Sequence, residues 1–372
     1  MSKYRIALMP GDGIGQDVMD AAQIVLDKIE LDAEYVPADI GWEFWCQEGD
    51  PLPQRTLDVL ETCDCALFAA ITSKPKEEAE AELAPELQGQ GLTYRSPIVR
   101  LRQTFDLYTN LRPCKAFKGN PLNYRDDIDL VVFRENTQGL YSGVEFHPLP
   151  EQVRAALQAC SPRMAAFDGV PAEDMAVSCR IFTRAGCRRI LRSAFEYAQA
   201  HGYPTVTLVE KPNVIRETSG LMVRQARQVA ADYPRVELWE ANVDAMAMWM
   251  VKNPQDYGVL VSSNMFGDII SDLAAQLVGG LGFASSGNIG DDFAVFEPTH
   301  GSAPKYAGLY KVNPTAMLLA VKLMLDWLGE TETAQALEQA IADTIAEGQV
   351  RTYDLGGDAT TLEVAQAVAD RL

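Results

Sequence analysis

The sequence predicts an α/β protein built around a largely parallel sheet, and at 372 residues it is long enough for two domains or one large unit. Three observations carry this. The chain opens with a strand, a glycine-rich turn and a helix in succession. Short apolar, β-prone runs then recur along its length. Several of these runs lead into stretches of helical periodicity, with no fixed-period repeat and no low-complexity tract between them.

The first element is the run YRIALMP at 4–10, which ends in the turn Gly11-Asp12-Gly13-Ile14-Gly15. A helical pattern follows from about Asp17 to Ile29. The turn spacing is G-x-G-x-G rather than G-x-G-x-x-G, and no acid closes a second strand about twenty residues on. The segment therefore reads as a tight βα turn, not as a dinucleotide fingerprint. The runs at 65–70, 129–134, 205–210 and 257–263 read as buried strands. The acidic stretch from Lys74 to Glu86 reads as an exposed loop or helix edge. The Ala- and Glu-rich stretch from about Thr331 to Glu347 reads as a helix.

Composition narrows the function classes. A formal net charge of -20 argues against general nucleic-acid binding, since a polyphosphate would be repelled. No apolar run approaches the length of a membrane span, and the opening residues do not read as a signal peptide. The seven cysteines are scattered and contain no Cys-x-x-Cys pair, which fits buried thiols in a reducing compartment. With three histidines in all, a His-rich zinc site is not expected.

Four constellations carry chemistry. Residues 94–118 hold six basic side chains, Arg95, Arg100, Arg102, Arg112, Lys115 and Lys118, against the single acid Asp106. Arg134 follows on the next strand. Several of these arginines lie among apolar residues, where a guanidinium fork needs an anion. Charge alone leaves two partners open, a bound carboxylate or structural acids elsewhere in the chain. Second, Asp268 and Asp272 are four apart, so a helix puts both on one face, where like charges repel unless a cation lies between them. All-oxygen ligands suit Mg²⁺ or Mn²⁺, and Asp244 is a candidate third ligand; a solvated helix face is the alternative. Third, Tyr141 follows a strand end and Lys211 ends another. Both are candidates for proton transfer, set against ordinary half-buried or surface roles. Fourth, the small-residue loop 296–308, followed by Asn313, can lie against a flat or phosphorylated ligand through its backbone.

In order along the chain stand GDGIG, LRQTFDLYTNLRP (101–113), RENTQGLYSGVE (134–145), EKPNV (210–214), NMFGDIISDLAAQLVGGLG (264–282), NIGDDFAVFEPTHGSAPKYAG (288–308), NPTA (313–316) and YDLGG (353–357). Together they resemble the isocitrate/isopropylmalate dehydrogenases over essentially the whole chain. The resemblance implies that family's fold, which is not a Rossmann domain: two α/β domains sharing a large mixed sheet. Residues 1–107 and 279–372 would form a large cofactor-binding domain, 108–138 and 184–278 a small domain, and 139–183 a clasp pairing two subunits of a homodimer. It further implies that Ser96, Arg102, Arg112 and Arg134 hold substrate carboxylates. Tyr141 and the partner subunit's Lys211 would move protons. Asp268, Asp272 and the partner subunit's Asp244 would hold Mg²⁺ or Mn²⁺. The nicotinamide cofactor would lie along Ile14, Glu297, His300, Gly301, Ala303, Lys305, Tyr306, Asn313 and Tyr353.

The expected activity is oxidative decarboxylation of a 2-hydroxy di- or tricarboxylic acid by a cytoplasmic enzyme. A catalytically silent subunit of a hetero-oligomer would lose its acids and bases, whereas Tyr141, Lys211, Asp244, Asp268 and Asp272 are all present. The run RENTQGLYSGVE resembles the isocitrate and homoisocitrate branches, and Ser96 matches isocitrate enzymes, where a serine bonds the third carboxylate. Ile98 departs from the asparagine usual in isocitrate enzymes, and Arg100 is a candidate for the missing polar contact. Lys305-Tyr306 stands where NAD-using members generally carry Asp-Ile, so NADP is the expected cofactor, with NAD the alternative. Tyr353 matches a further phosphate contact, while Gly357 falls where some NADP enzymes carry arginine.

Overall fold

A computed structural model describes residues 2–372. Its strands are β1 (Tyr4–Gly11), β2 (Ala33–Pro37), β3 (Cys65–Ala70), β4 (Thr109–Lys115), β5 (Asp129–Glu135), β6 (Glu145–Phe146), β7 (Val177–Ser178), β8 (Thr205–Glu210), β9 (Glu237–Asn242), β10 (Val259–Ser262), β11 (Ser285–Ile289) and β12 (Ala294–Pro298). Ten of them form one sheet in the order β2-β1-β3-β12-β11-β4-β5-β10-β8-β9. The expected strands β3, β5, β8 and β10 are almost wholly buried along their length, as continuous apolar runs require when helices cover both faces. The two helices read from sequence are present at Gly15–Ile29 and Thr331–Glu347. The acidic stretch forms a short exposed helix, Lys76–Ala81, with loops on either side.

The sheet is mixed, as the family resemblance implies, with six of its nine strand pairs parallel. Its two ends are parallel blocks, β2-β1-β3-β12 and β5-β10-β8-β9. Between them β11 pairs antiparallel with both β12 and β4, and β4 pairs antiparallel with β5. The cause lies in the connections. A parallel pair needs a crossover of a dozen or more residues, usually helical. β11 and β12 are joined by a tight turn closed by Gly290 N–H donating to Phe293 O at 2.9 Å. β4 and β5 are joined by a non-helical loop. The two parallel blocks therefore meet at the centre of the sheet, where ligands find a break in strand order.

The opening turn shows why glycine is required there. Gly13 has φ +58°, and a Cβ added to it would lie 2.0 Å from Ser302 O. Ile14 N–H then donates to that same carbonyl at 2.8 Å, so the turn is laid directly on the 296–308 loop.

Residues 139–183 leave the sheet altogether. They form the two-stranded β6–β7 ladder and the helix Glu151–Cys160, which buries no residue. The excursion closes on itself where Gly139 N–H donates to Ile181 O at 2.9 Å. Gln138 Nε2 also donates to Thr183 Oγ1 at 2.9 Å.

Candidate active site

At the centre of the sheet, three neighbouring strands set polar side chains side by side. Asn288 of β11 is in register with Asn110 of β4, and Asn110 with Arg134 of β5. Asn110 and Arg112 share a face of β4 because alternate residues point the same way. That face is covered by the helix Asn264–Leu277, which carries Asp268 and Asp272. Gly267 makes this approach possible: a Cβ there would sit 2.9 Å from the Arg134 side chain.

The structure brings Arg102, Arg112 and Arg134 together, all buried. Arg102 projects from the helix Pro97–Thr104; its Nε donates to Asn288 Oδ1 at 2.8 Å and its Nη2 to Glu297 Oε1 at 3.3 Å. Arg112 donates to Asn110 Oδ1 (2.6 Å), Ser271 Oγ (2.7 Å) and Asp272 Oδ1 (2.9 Å), and more loosely to Asp268 Oδ1 (3.4 Å). Arg134, 2% exposed, is ion-paired to Asp268 and donates to Asn264 Oδ1 at 2.9 Å. Burial lowers the pKa of Arg134, and the nearby positive charge of Arg102 adds to the effect. Burial likewise lowers that of Arg102. Three cations held out of water are thus ion-paired within the site to three carboxylates, those of Glu297, Asp268 and Asp272.

Tyr141 lies over this cluster. Its hydroxyl donates to Asp268 Oδ2 at 2.8 Å, and the Arg134 guanidinium is 5.1 Å from its ring centroid. Burial raises its pKa, and the bond to Asp268 raises it further. The phenol is held protonated, the state a proton donor needs.

Lys211 and Asp244 are paired with each other instead. Lys211 Nζ lies 2.5 Å from Asp244 Oδ1, just beyond β8 and in the first turn of the helix Val243–Lys252. Asp244 is largely exposed, and its pKa is lowered by the bond to Lys211. Among the described residues of one chain, no three acidic, histidine or cysteine side chains converge as a metal cluster would. Asp268 and Asp272 thus supply two oxygen-donor groups from one chain, and Asp244 is not beside them.

Ser96 sits immediately before the helix Pro97–Thr104, half-buried, and its side chain makes no hydrogen bond with that helix's first turn. Ile98 packs into the apolar cluster of Leu101, Leu107 and Phe293. The expectation that Arg100 supplies a polar contact beside Ile98 is corrected here. Its Nη1 donates to both oxygens of Asp50, at 2.7 and 2.9 Å, so the guanidinium is already held by a carboxylate.

The cofactor loop follows β12. Ala303 adopts the left-handed conformation, φ +35°, at the turn that presents Lys305 and Tyr306. Tyr306 and Tyr353 stack with centroids 5.8 Å apart, and the Lys305 ammonium is 5.2 Å from the Tyr306 ring. Asn313 Nδ2 donates to Asp354 Oδ2 at 3.1 Å. The Nε2 of His300 is buried with no partner among the described residues, and burial lowers its pKa, leaving a neutral imidazole. An orphaned polar atom beside open, aromatic and cationic groups fits a planar, phosphate-bearing ligand. Glu297 differs from its loop neighbours: it is buried and bonded inward, to Asn288 and Arg102.

The isocitrate/isopropylmalate dehydrogenase family model matches residues 5–368. The chain belongs to that family. It is a metal-dependent, NAD(P)-linked decarboxylating dehydrogenase that binds a small carboxylate substrate. It is 41% identical to the 3-isopropylmalate dehydrogenase of Methanothermobacter thermautotrophicus, covering 100% of this chain and 99% of that one. It is 40% identical to the isocitrate/homoisocitrate dehydrogenase of Thermus thermophilus, over 99% of this chain and 98% of that protein. Protein DlpA of Legionella pneumophila is 39% identical over 98% of this chain, which spans 58% of DlpA. The crystal structure of isocitrate dehydrogenase from Methylococcus capsulatus superposes with a TM-score of 0.85 at 37% identity, covering 99% of each chain.

For this dehydrogenase, sequence reasoning passed over the amides of Asn110, Asn136, Asn264 and Asn288 and the hydroxyl of Ser271. The signal was available for two of them. Asparagine is depleted in strands, so Asn110 and Asn288 within β4 and β11 mark positions that packing alone would not choose.

Proposed function

We propose that the chain catalyses NADP-dependent oxidative decarboxylation of isocitrate to 2-oxoglutarate with Mg²⁺ or Mn²⁺, as a cytoplasmic homodimer with shared active sites. The observation that carries this reading is the convergence of Arg102, Arg112 and Arg134 on the Asp268–Asp272 face beneath Tyr141. Three buried cations match a substrate bearing several carboxylates, and Ser96 stands before the same helix as Arg102 to take a third one.

When bound, the divalent cation supplies charge neutralisation and the nicotinamide ring accepts hydride. The arginines hold and orient the acid. Asp268 and Asp272, with the partner subunit's Asp244, would hold the cation. The partner subunit's Lys211 takes the hydroxyl proton as the C–H bond gives up hydride. The carboxyl group beta to the new ketone then leaves as CO₂. Tyr141, kept protonated, delivers a proton to the carbon left behind.

The clasp reading of 139–183 is supported by a helix with no buried residue, which a second copy would cover. The seven cysteines are unpaired, in keeping with a reducing compartment. NADP is favoured by Lys305, Tyr306 and Tyr353 at the open end of the cofactor loop.

A second reading has a specific observation behind it. Ile98 is packed apolar and Arg100 is bound to Asp50, so the third-group pocket lacks an amide. Homoisocitrate, 3-isopropylmalate or a related 2-hydroxy acid then fits the same chemistry, with NADP or NAD. Initial rates of NADPH and NADH formation with each acid separate the readings. Fast NADPH formation with isocitrate alone supports the first. Turnover confined to another acid replaces the substrate and leaves the mechanism standing.

A further inference from the structure

Asn288 is 0% exposed and joins four side chains of the site, as many as Arg112 does. Its Oδ1 accepts from Arg102 Nε at 2.8 Å, Asn136 Nδ2 at 2.9 Å and Asn110 Nδ2 at 3.0 Å. Its Nδ2 donates to Glu297 Oε1 at 2.7 Å. Asn110 then passes the connection on, its own Oδ1 accepting from Arg112 Nε at 2.6 Å. Both arginines are thus gripped at Nε by an amide oxygen. An amide fixes the plane of a guanidinium without adding to the negative charge already set against it, that of Glu297 on Arg102 and of Asp268 and Asp272 on Arg112. A carboxylate in the same place would orient the group equally well but put one more negative charge in competition with the substrate's. Three donors crowd an oxygen that has two lone pairs, and they come from β4, from the residue just after β5 and from the helix Pro97–Thr104.

We propose that Asn288 is a positioning residue that sets the plane of Arg102, and through Asn110 that of Arg112, without adding negative charge against them, for binding of the substrate's carboxylates. This rests on the reading of Arg102 as a substrate ligand. It makes substrate affinity depend on a residue that touches no substrate.

The test is a double-mutant cycle on purified full-length enzyme, reading KM for the 2-hydroxy acid and KM for the dinucleotide separately. Asn288→Ser raises KM for the acid by about tenfold, the scale of one hydrogen bond to a charged group. KM for the dinucleotide rises by less than KM for the acid, since the amide reaches the cofactor loop only through its bond to Glu297. In an Arg102→Lys background, Asn288→Ser adds little further. A full, independent increase on top of Arg102→Lys overturns the proposal and leaves the substrate reading intact. An unchanged KM for Arg102→Lys alone overturns both. If Asn288→Ser does not fold, Asn288→Asp carries the same cycle. It keeps the shape and the acceptor but puts a charge against Arg102, so KM for the acid rises here too; an unchanged KM would overturn the proposal.

Discussion

Arg134 and Asp268 are bound to each other at the centre of the site, with Tyr141 donating to the second oxygen of the same carboxylate at 2.8 Å. One acid therefore links a buried cation, the candidate proton donor and the candidate metal position. Asp268→Asn removes the charge that all three share. The variant loses about a thousandfold or more in kcat/KM. It also loses the rise in Tm that Mg²⁺ or Mn²⁺ gives the parent enzyme, because a ligand stabilises only what it binds. Thermal unfolding with and without metal checks this apart from activity, and a metal-dependent Tm retained in the variant removes Asp268 from the metal set.

Tyr141→Phe deletes the hydroxyl and keeps the ring stacked near Arg134. General acid catalysis is typically a factor of about 10²–10⁴, and kcat falls by that order. The pH profile carries the sign. Burial and Asp268 raise the Tyr141 pKa, so the proton is fully present at neutral pH and is lost only above the ordinary tyrosine range. The parent enzyme accordingly keeps its kcat through mildly alkaline pH. An alkaline limb below the normal tyrosine range, unaltered in Tyr141→Phe, would assign that limb to another group and remove Tyr141 as the donor.

The site was legible in sequence where chemistry has to break pattern. Asp268 and Asp272 are like charges on one helical face, and the arginines reverse the sign of an acidic chain. The amides were not legible, because an asparagine says nothing of its partners until strands are laid side by side. Asn110 and Asn288 are far apart in sequence and adjacent only through β11–β4 pairing. The same holds for strand direction: apolar runs announce burial, but only the short β11–β12 turn and the helix-free β4–β5 link made the centre antiparallel. Arg100 misled for the converse reason, since nothing local announces that Asp50 will fold against it.

Replacing Lys305-Tyr306 with Asp-Ile exchanges a cation and a stacked ring for an acceptor that repels a 2′-phosphate. Preference, measured as the ratio of kcat/KM for NADP to that for NAD, shifts towards NAD by about tenfold or more. KM for the acid is unchanged. A ratio that stays constant places the phosphate contact elsewhere.

Arg180 ties the far end of the clasp to the sheet. It donates to Glu210, which is 0% exposed, at 3.0 Å and to Ser263 at 2.7 Å, and its guanidinium lies 4.5 Å from the ring centroid of Phe182 and 4.8 Å from that of Phe266. Arg180→Ala leaves the Glu210 carboxylate without its cation. Breaking a buried pair in this way costs about 3–5 kcal/mol. Urea unfolding should show a lower midpoint with an unchanged slope. A midpoint shift worth less than about 1 kcal/mol would mean that the Ser219 hydroxyl and the Ser263 N–H, which donate to Glu210 at 2.5 and 3.1 Å, suffice without the arginine.

Lys211 and Asp244 meet each other at 2.5 Å and make no hydrogen bond or ion pair to Asp268, Asp272 or Tyr141 among the described residues. If they serve a second copy's site, two inactive variants must rescue each other. Tyr141→Phe and Lys211→Ala each inactivate a homodimer. In a mixed dimer one site receives both substitutions and the other receives neither. Random pairing makes half the dimers mixed, each with one intact site, so about a quarter of parental activity returns on co-expression. Separately purified and merely mixed proteins recover it only as fast as subunits exchange. Activity that stays at the level of the two variants after co-expression would mean that Lys211 and Tyr141 work within one chain. The domains would then have to close far enough to bring the Lys211–Asp244 pair to the arginine cluster.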